Sequence, residues 1–252
     1  MVRGMEVFRE HFADFADCYV LIGGAACDLL MEEAGLLFRV TKDLDIVLSL
    51  EFIDGSFVSS FWEFVRRGRY QLHQTSKGRR HYYRFTKPEG SDYPYMLELF
   101  SRKPDALELK GSSNLTPITV DEEVSSLSAI LMDESYYSFL HLGRRVINNI
   151  TVADSDHLIA LKARAWLDLT RRKQAGQNID SKSILKHKND VFRLYQLLDP
   201  GSKRDYPQSI RNDVQTFLEA LERESIDLKN LGIRRTDLKT VLSNLRKMYG
   251  LG

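Results

Sequence analysis

The sequence predicts a mixed α/β (α+β) fold, with an α/β unit over residues 1–150 followed by a helical unit over 151–252. Three observations carry that expectation. Short apolar runs rich in β-branched and aromatic residues (YVLI, DIVL, YQLH, HYYRF, YMLELF) are confined to the first 100 residues and separated by turn-forming residues. Beyond about residue 152 the apolar spacing is helical throughout. Between the first two strands lies a helix, the strand–helix–strand alternation of a layered α/β unit.

The elements follow in order. Residues 3–16 place Val7, Phe8, Phe12 and Phe15 on one side of an amphipathic helix. In CYVLIGGAACDLLMEE, Tyr19–Ile22 is extended, Gly23-Gly24 turns, and residues 25–33 are helical. An acid-led strand over 43–50 follows, then a helix over 56–67 with Phe57, Phe61, Phe64 and Val65 on its apolar side. Strands over 70–75 and 81–86 flank the turn-prone SKGRR, and a strand over 95–100 completes the mixed sheet. Asp154, Ser155 and Asp156 cap a helix running to about Arg172. Residues 181–198, 207–222 and 235–249 continue as helices, with PGSKRDYP (200–207) as a breaker. Trp62 and Trp166 fall at apolar helical positions and belong to the core.

Composition narrows the class. The chain of 252 residues is 43% hydrophobic and 28% charged, ordinary for a soluble globular protein, and has no apolar run fit to span a membrane. The acid-bearing N-terminus lacks a signal-like core, and Cys18 and Cys27 have no metal-type spacing, so a reduced cytoplasmic location is expected. Residues 1–150 hold 17 Lys+Arg against 22 Asp+Glu, and the remainder 19 against 13. An acidic front half and a basic back half suit cation binding in one and polyanion binding in the other, although solvated helix faces give the same count.

The chemistry concentrates in RVTKDLDIVL. On a strand, Asp43 and Asp45 share one face, where mutual repulsion and desolvation are costly unless positive charge stands between them. A divalent cation removes that cost, and hard carboxylate oxygens suit Mg²⁺ (or Mn²⁺), which also binds substrate phosphates. Gly23-Gly24 at a helix start brings backbone N–H groups toward phosphate oxygens, where the helix dipole favours an anion. Glu98, between Leu97 and Leu99 on a later strand, is the candidate third acid, which would bind a second metal ion or orient an attacking hydroxyl, so that two metals clamp an in-line phosphoryl displacement. Plain readings exist for each: aspartates begin strands and turns, glycine pairs make tight turns, and Glu98 is an outward residue of an edge strand. The Lys77-Gly78-Arg79-Arg80 turn beside His81, Tyr82 and Tyr83 has the basic–aromatic mixture of nucleic-acid surfaces and equally that of a solvated hairpin tip.

Taken together, Gly23-Gly24, Arg39-x-Thr41-x-Asp43-Leu44-Asp45 and Leu97-Glu98-Leu99 resemble the motifs of the polymerase-β-like nucleotidyltransferase superfamily, closest to the AbiEii-like abortive-infection toxins. Leu161-Lys162 with Ala165, then Lys188-Asn189-Asp190, is similar to their later lysine helix, with an asparagine interrupting the usual adjacent Lys-Asp. The resemblance is good over residues 18–50 and loose over 150–195. It implies Asp43, Asp45 and Glu98 as catalytic metal ligands. It also implies Gly23, Gly24, Arg39, Thr41, Lys42 and Lys162 around an NTP, a tRNA end as acceptor, and an antitoxin protein as partner. Two rival readings stand beside it: transfer to a small molecule such as an aminoglycoside, and a catalytically silent nucleotidyltransferase-like binding module.

Overall fold

The computed structural model describes residues 2–74, 82–100, 116–117, 130–131, 133–199 and 204–251. The SKGRR turn and residues 200–203 of the PGSKRDYP break lie outside the described residues. The chain divides into two compact units, Met1–Asp121 with Leu140–Ala153, and Glu122–Phe139 with Asp154–Gly252.

Among the described residues, the first unit is built on an eight-stranded mixed sheet. Its strands are β1 (Tyr19–Ile22), β2 (Asp43–Leu48), β3 (Gln71–Gln74), β4 (Tyr82–Thr86), β5 (Met96–Phe100), β6 (Thr116–Pro117), β7 (Arg144–Ile147) and β8 (Ile150–Ala153). They lie in the order β6-β3-β4-β5-β2-β1-β8-β7. The central strands are the most apolar because both faces are covered: all four residues of β1 are buried. Three helices among the described residues belong here, α1 (Met5–His11), α2 (Gly23–Glu33) and α3 (Gly55–Arg67). The first is shorter than the periodicity predicts. After Phe12 the chain tightens into a 3₁₀ segment, Ala13–Cys18, broken by non-helical dihedrals at Phe15. Asp54 starts α3 by accepting the Ser56 and Phe57 N–H groups, each at 3.0 Å. Phe8, Phe12, Tyr19, Phe57, Phe61 and Phe64 then interlock through tilted and edge-on ring contacts.

The β7–β8 hairpin has no counterpart among the expected strands. Its two-residue turn is Asn148-Asn149, both at positive φ (48° and 63°), the primed geometry that matches strand twist. The hairpin extends the sheet through a parallel pairing of Leu21 with Val152.

The second unit contains α4 up to Phe139 (the helix spans Glu134–Leu142), α5 (Ser155–Gln174), α6 (Ser181–Tyr195), α7 (Gln208–Leu221) and α8 (Leu238–Met248). Side chains of Asp154, Asp180 and Asp237 cap α5, α6 and α8. The long α5 packs on α6 and α7, burying Leu158, Leu161 and Leu169 with Val191, Phe192, Val214 and Phe217. Trp166 meets Phe217 edge-on at 5.3 Å.

This unit buries charge as well. Asp156, 1% exposed, accepts from His157 Nδ1 (2.8 Å), the Tyr206 hydroxyl (2.8 Å) and Arg204 Nη1 (2.9 Å to each oxygen). Burial alone raises its carboxyl. The hydrogen bonds from His157 and Tyr206 and the Arg204 charge together outweigh burial and hold it below its ordinary value. The same surroundings push the Tyr206 hydroxyl up, through burial and then the Asp156 charge.

Candidate active site

Ladder register determines which side chains share a face. In the antiparallel pair β1–β2, Ile22 stands opposite Asp45; in the parallel pair β2–β5, Asp45 stands beside Glu98; in the antiparallel pair β5–β4, Glu98 stands opposite Arg84. Partners across a ladder point to the same side, so one row runs across four strands: Ile22, Asp45, Glu98, Arg84. Asp43 is on the same face two residues earlier, while Leu44, Ile46 and Leu48 are buried on the other.

The chain leaves β1 at Ile22 and turns at once into α2. Gly23 takes φ +67°, open to glycine at little cost. Space adds a second constraint: a Cβ on Gly23 would lie 1.6 Å from Asp45 Oδ2, and one on Gly24 2.6 Å from Thr41 Oγ1 and 3.4 Å from Arg39 Nη2. The absent side chains let the first turn of α2 press against Asp45, Thr41 and Arg39. Gly23, Gly24, Arg39, Thr41 and Asp45 are therefore brought into one group, and β2 supplies Asp43 beside it. Lys42 is exposed, with Nζ 5.9 Å from the centre of the Tyr95 ring, and the Arg39 guanidinium lies 5.1 Å from the Phe38 ring.

Glu98 is 6% exposed and engaged: Arg84 Nε and Nη2 both donate to its Oε1, at 2.7 and 2.6 Å. Arg84 is not among the site residues to which the sequence motifs point. A signal was present, since Arg84 interrupts Tyr83 and Phe85 as Glu98 interrupts Leu97 and Leu99. Two opposite charges set in apolar strands of one sheet are the mark of a ladder pair. Lys162 belongs to the second unit, on α5, where it is buried with Nζ 3.3 Å from Asp190 Oδ2.

The donor chemistry of Asp43 and Asp45, two carboxylates on one strand face, fits a hard divalent cation. Glu98 fits less well, because Arg84 already occupies Oε1. Among the described residues, no group of three or more His, Cys, Asp and Glu side chains is placed to hold a metal ion. No helix among them is long and apolar enough to cross a membrane.

No protein-family model and no curated protein matches the chain. Among solved structures, an antigenic nucleotidyltransferase-like protein from Paracoccidioides brasiliensis is similar over 94% of this chain and 89% of that one, with a TM-score of 0.48 and 14% identity.

Proposed function

We propose that the chain is a metal-dependent nucleotidyltransferase. It would move a nucleoside monophosphate from an NTP to an acceptor hydroxyl. The observation that carries this reading is the close seating of the Gly23-Gly24 turn on Asp45 and Thr41. It joins a phosphate-binding helix start to a carboxylate pair in one place. Asp43 and Asp45 would hold Mg²⁺ or Mn²⁺, which when bound supplies neutralising charge to the triphosphate.

The chain's own residues do the rest. Backbone N–H groups at the start of α2 receive phosphate oxygens, and Arg39 and Lys42 add charge on the side of the turn. The rigid β1–β2 ladder fixes Asp45 against the turn, so catalysis is mainly positioning and electrostatics. In the transfer itself the acceptor oxygen bonds to the α-phosphorus, the bond to the β-phosphate oxygen breaks, pyrophosphate leaves and the hydroxyl proton passes to water.

The acceptor is tested directly. The full chain is incubated with Mg²⁺ and labelled NTPs, once with total tRNA and once with an aminoglycoside panel. Label in one acceptor class, abolished by Asp45→Asn with circular dichroism unchanged, is the expected result. Calorimetry detecting neither NTP nor Mg²⁺ binding would leave only the silent-module reading.

A further inference from the structure

Resting on the nucleotidyltransferase reading, we infer that Arg84 stands electrostatically where a second cation would. The site takes one divalent ion, at Asp43 and Asp45, and Glu98 is the fixed partner of Arg84 rather than a metal ligand.

Register, geometry and burial point the same way. Arg84 and Glu98 are direct ladder partners, so their side chains leave the sheet together on the face that bears Asp45. Two N–H donors of one guanidinium converge on a single carboxylate oxygen at 2.6–2.7 Å, a charge-assisted contact of short length. The side chains are 14% and 7% exposed, so neither charge can turn to water if the other is withdrawn. A cation binding through Oε1 would share that oxygen with a guanidinium that stays protonated at any working pH, and the two positive charges would repel at hydrogen-bonding range.

Of the three carboxylates on this face, Glu98 is matched by Arg84, which leaves the β2 pair, with Arg39 in the same group, to a single dication. The guanidinium adds something a second ion cannot: positive charge on the face that bears Asp45, two strands away, that does not dissociate as Mg²⁺ falls. Arg84 is thus a positioning residue, acting through Glu98.

The test counts ions rather than turnover. The full chain is saturated with an α,β-methylene NTP analogue, which cannot release pyrophosphate, and titrated with Mn²⁺. Bound Mn²⁺ is counted by electron paramagnetic resonance after subtracting the analogue alone. The expected result is one ion per chain in the wild type and in Glu98→Gln, with affinities within about tenfold of each other. In Arg84→Met, where Glu98 is unmasked, two ions are expected. Two ions in the wild type, loss of the ion in Glu98→Gln, or a single ion in a folded Arg84→Met would each overturn the inference while leaving the nucleotidyltransferase reading intact. No bound Mn²⁺ in the wild type would overturn both. Glu98→Gln keeps shape and burial, so the wild type and this variant decide the matter even if Arg84→Met does not fold.

Discussion

Gly23→Ala probes the turn on which the candidate site depends. The new Cβ would meet Asp45 Oδ2 at 1.6 Å, Cγ at 2.5 Å and Cβ at 2.9 Å, at a residue held at φ +67°. A left-handed alanine costs about 1–2 kcal/mol. Pushing the Asp45 carboxylate off its rotamer adds about 0.5–1.5 kcal/mol. The expected loss is therefore ~1.5–3.5 kcal/mol in urea denaturation followed by circular dichroism. Asp45→Ala removes the Oδ2 and Cγ collisions and leaves only the 2.9 Å approach to Cβ, so in the double variant most of the steric part is relieved and the two changes couple by about 1 kcal/mol. Transfer activity does not return with stability. In Gly23→Ala alone, a displacement of about 1 Å at Asp45 is expected to cost roughly 10²-fold in kcat. Additive stabilities within about 0.5 kcal/mol, or turnover near the wild-type rate, would refute the claim that Gly23 is glycine because Asp45 needs the space.

Further predictions concern the buried charge and the thiols. Asp156→Asn should cost about 1–3 kcal/mol at pH 7, because an amide cannot accept from the buried His157 and Tyr206 donors and from Arg204 as the carboxylate does. Since the folded Asp156 carboxyl lies below its ordinary 3.8, its contribution is complete above pH 3.8 and is lost as pH falls through the folded value. Urea titrations from pH 7 to 3 should show the gap to wild type narrowing below pH 3.8, and a constant gap would contradict this. Burial, with Asp54 and Asp17 nearby, pushes the Cys18 thiol up to about 11, and Cys27 is fully buried. Roughly a thousandth of Cys18 is then ionised at pH 8, so neither thiol should react with an aromatic disulfide reagent before unfolding. Prompt release of chromophore from the native chain would contradict that.

The sequence made legible those elements whose burial is two-sided or whose ends are chemically marked. β1 announces itself as an unbroken apolar run, β2 by the Ile46-Val47-Leu48 run behind its two acids, and α5 by its Asp154 cap. The β7–β8 hairpin did not, because RRVI opens on two adjacent arginines and buries only Ile147, and its turn is Asn-Asn rather than a glycine pair. The split of residues 3–16 into a helix and a 3₁₀ segment is a tertiary effect, with Phe12 drawn into the aromatic cluster. At the site, Gly23, Gly24, Arg39, Thr41, Asp43 and Asp45 lie within one local stretch of chain, and the structure groups them through contacts that local spacing anticipates. Arg84 and Glu98 meet only through strand register, which a single sequence does not specify until the pairing order is known.

Lys162 shows how position on a helix separates two roles that composition leaves alike. Lys188 and Asp190 are two residues apart on α6, hence on nearly opposite faces. Lys188 meets Glu224, while Asp190, fully buried, meets Lys162 across the α5–α6 packing and Arg193 on its own helix at 3.3 Å. The resemblance assigns Lys162 to the nucleotide, whereas its burial beside Asp190 assigns it to the helical core. The two roles predict different losses. If the pair is structural, Lys162→Met leaves the buried Asp190 without its cross-helix partner, with Arg193 still beside it, and costs about 3 kcal/mol. Lys162→Met with Asp190→Leu recovers part of it, because paired charges can be replaced by packed apolar groups. The NTP KM then stays within severalfold of wild type. A tenfold rise in KM with an unchanged denaturation midpoint would instead return Lys162 to the triphosphate.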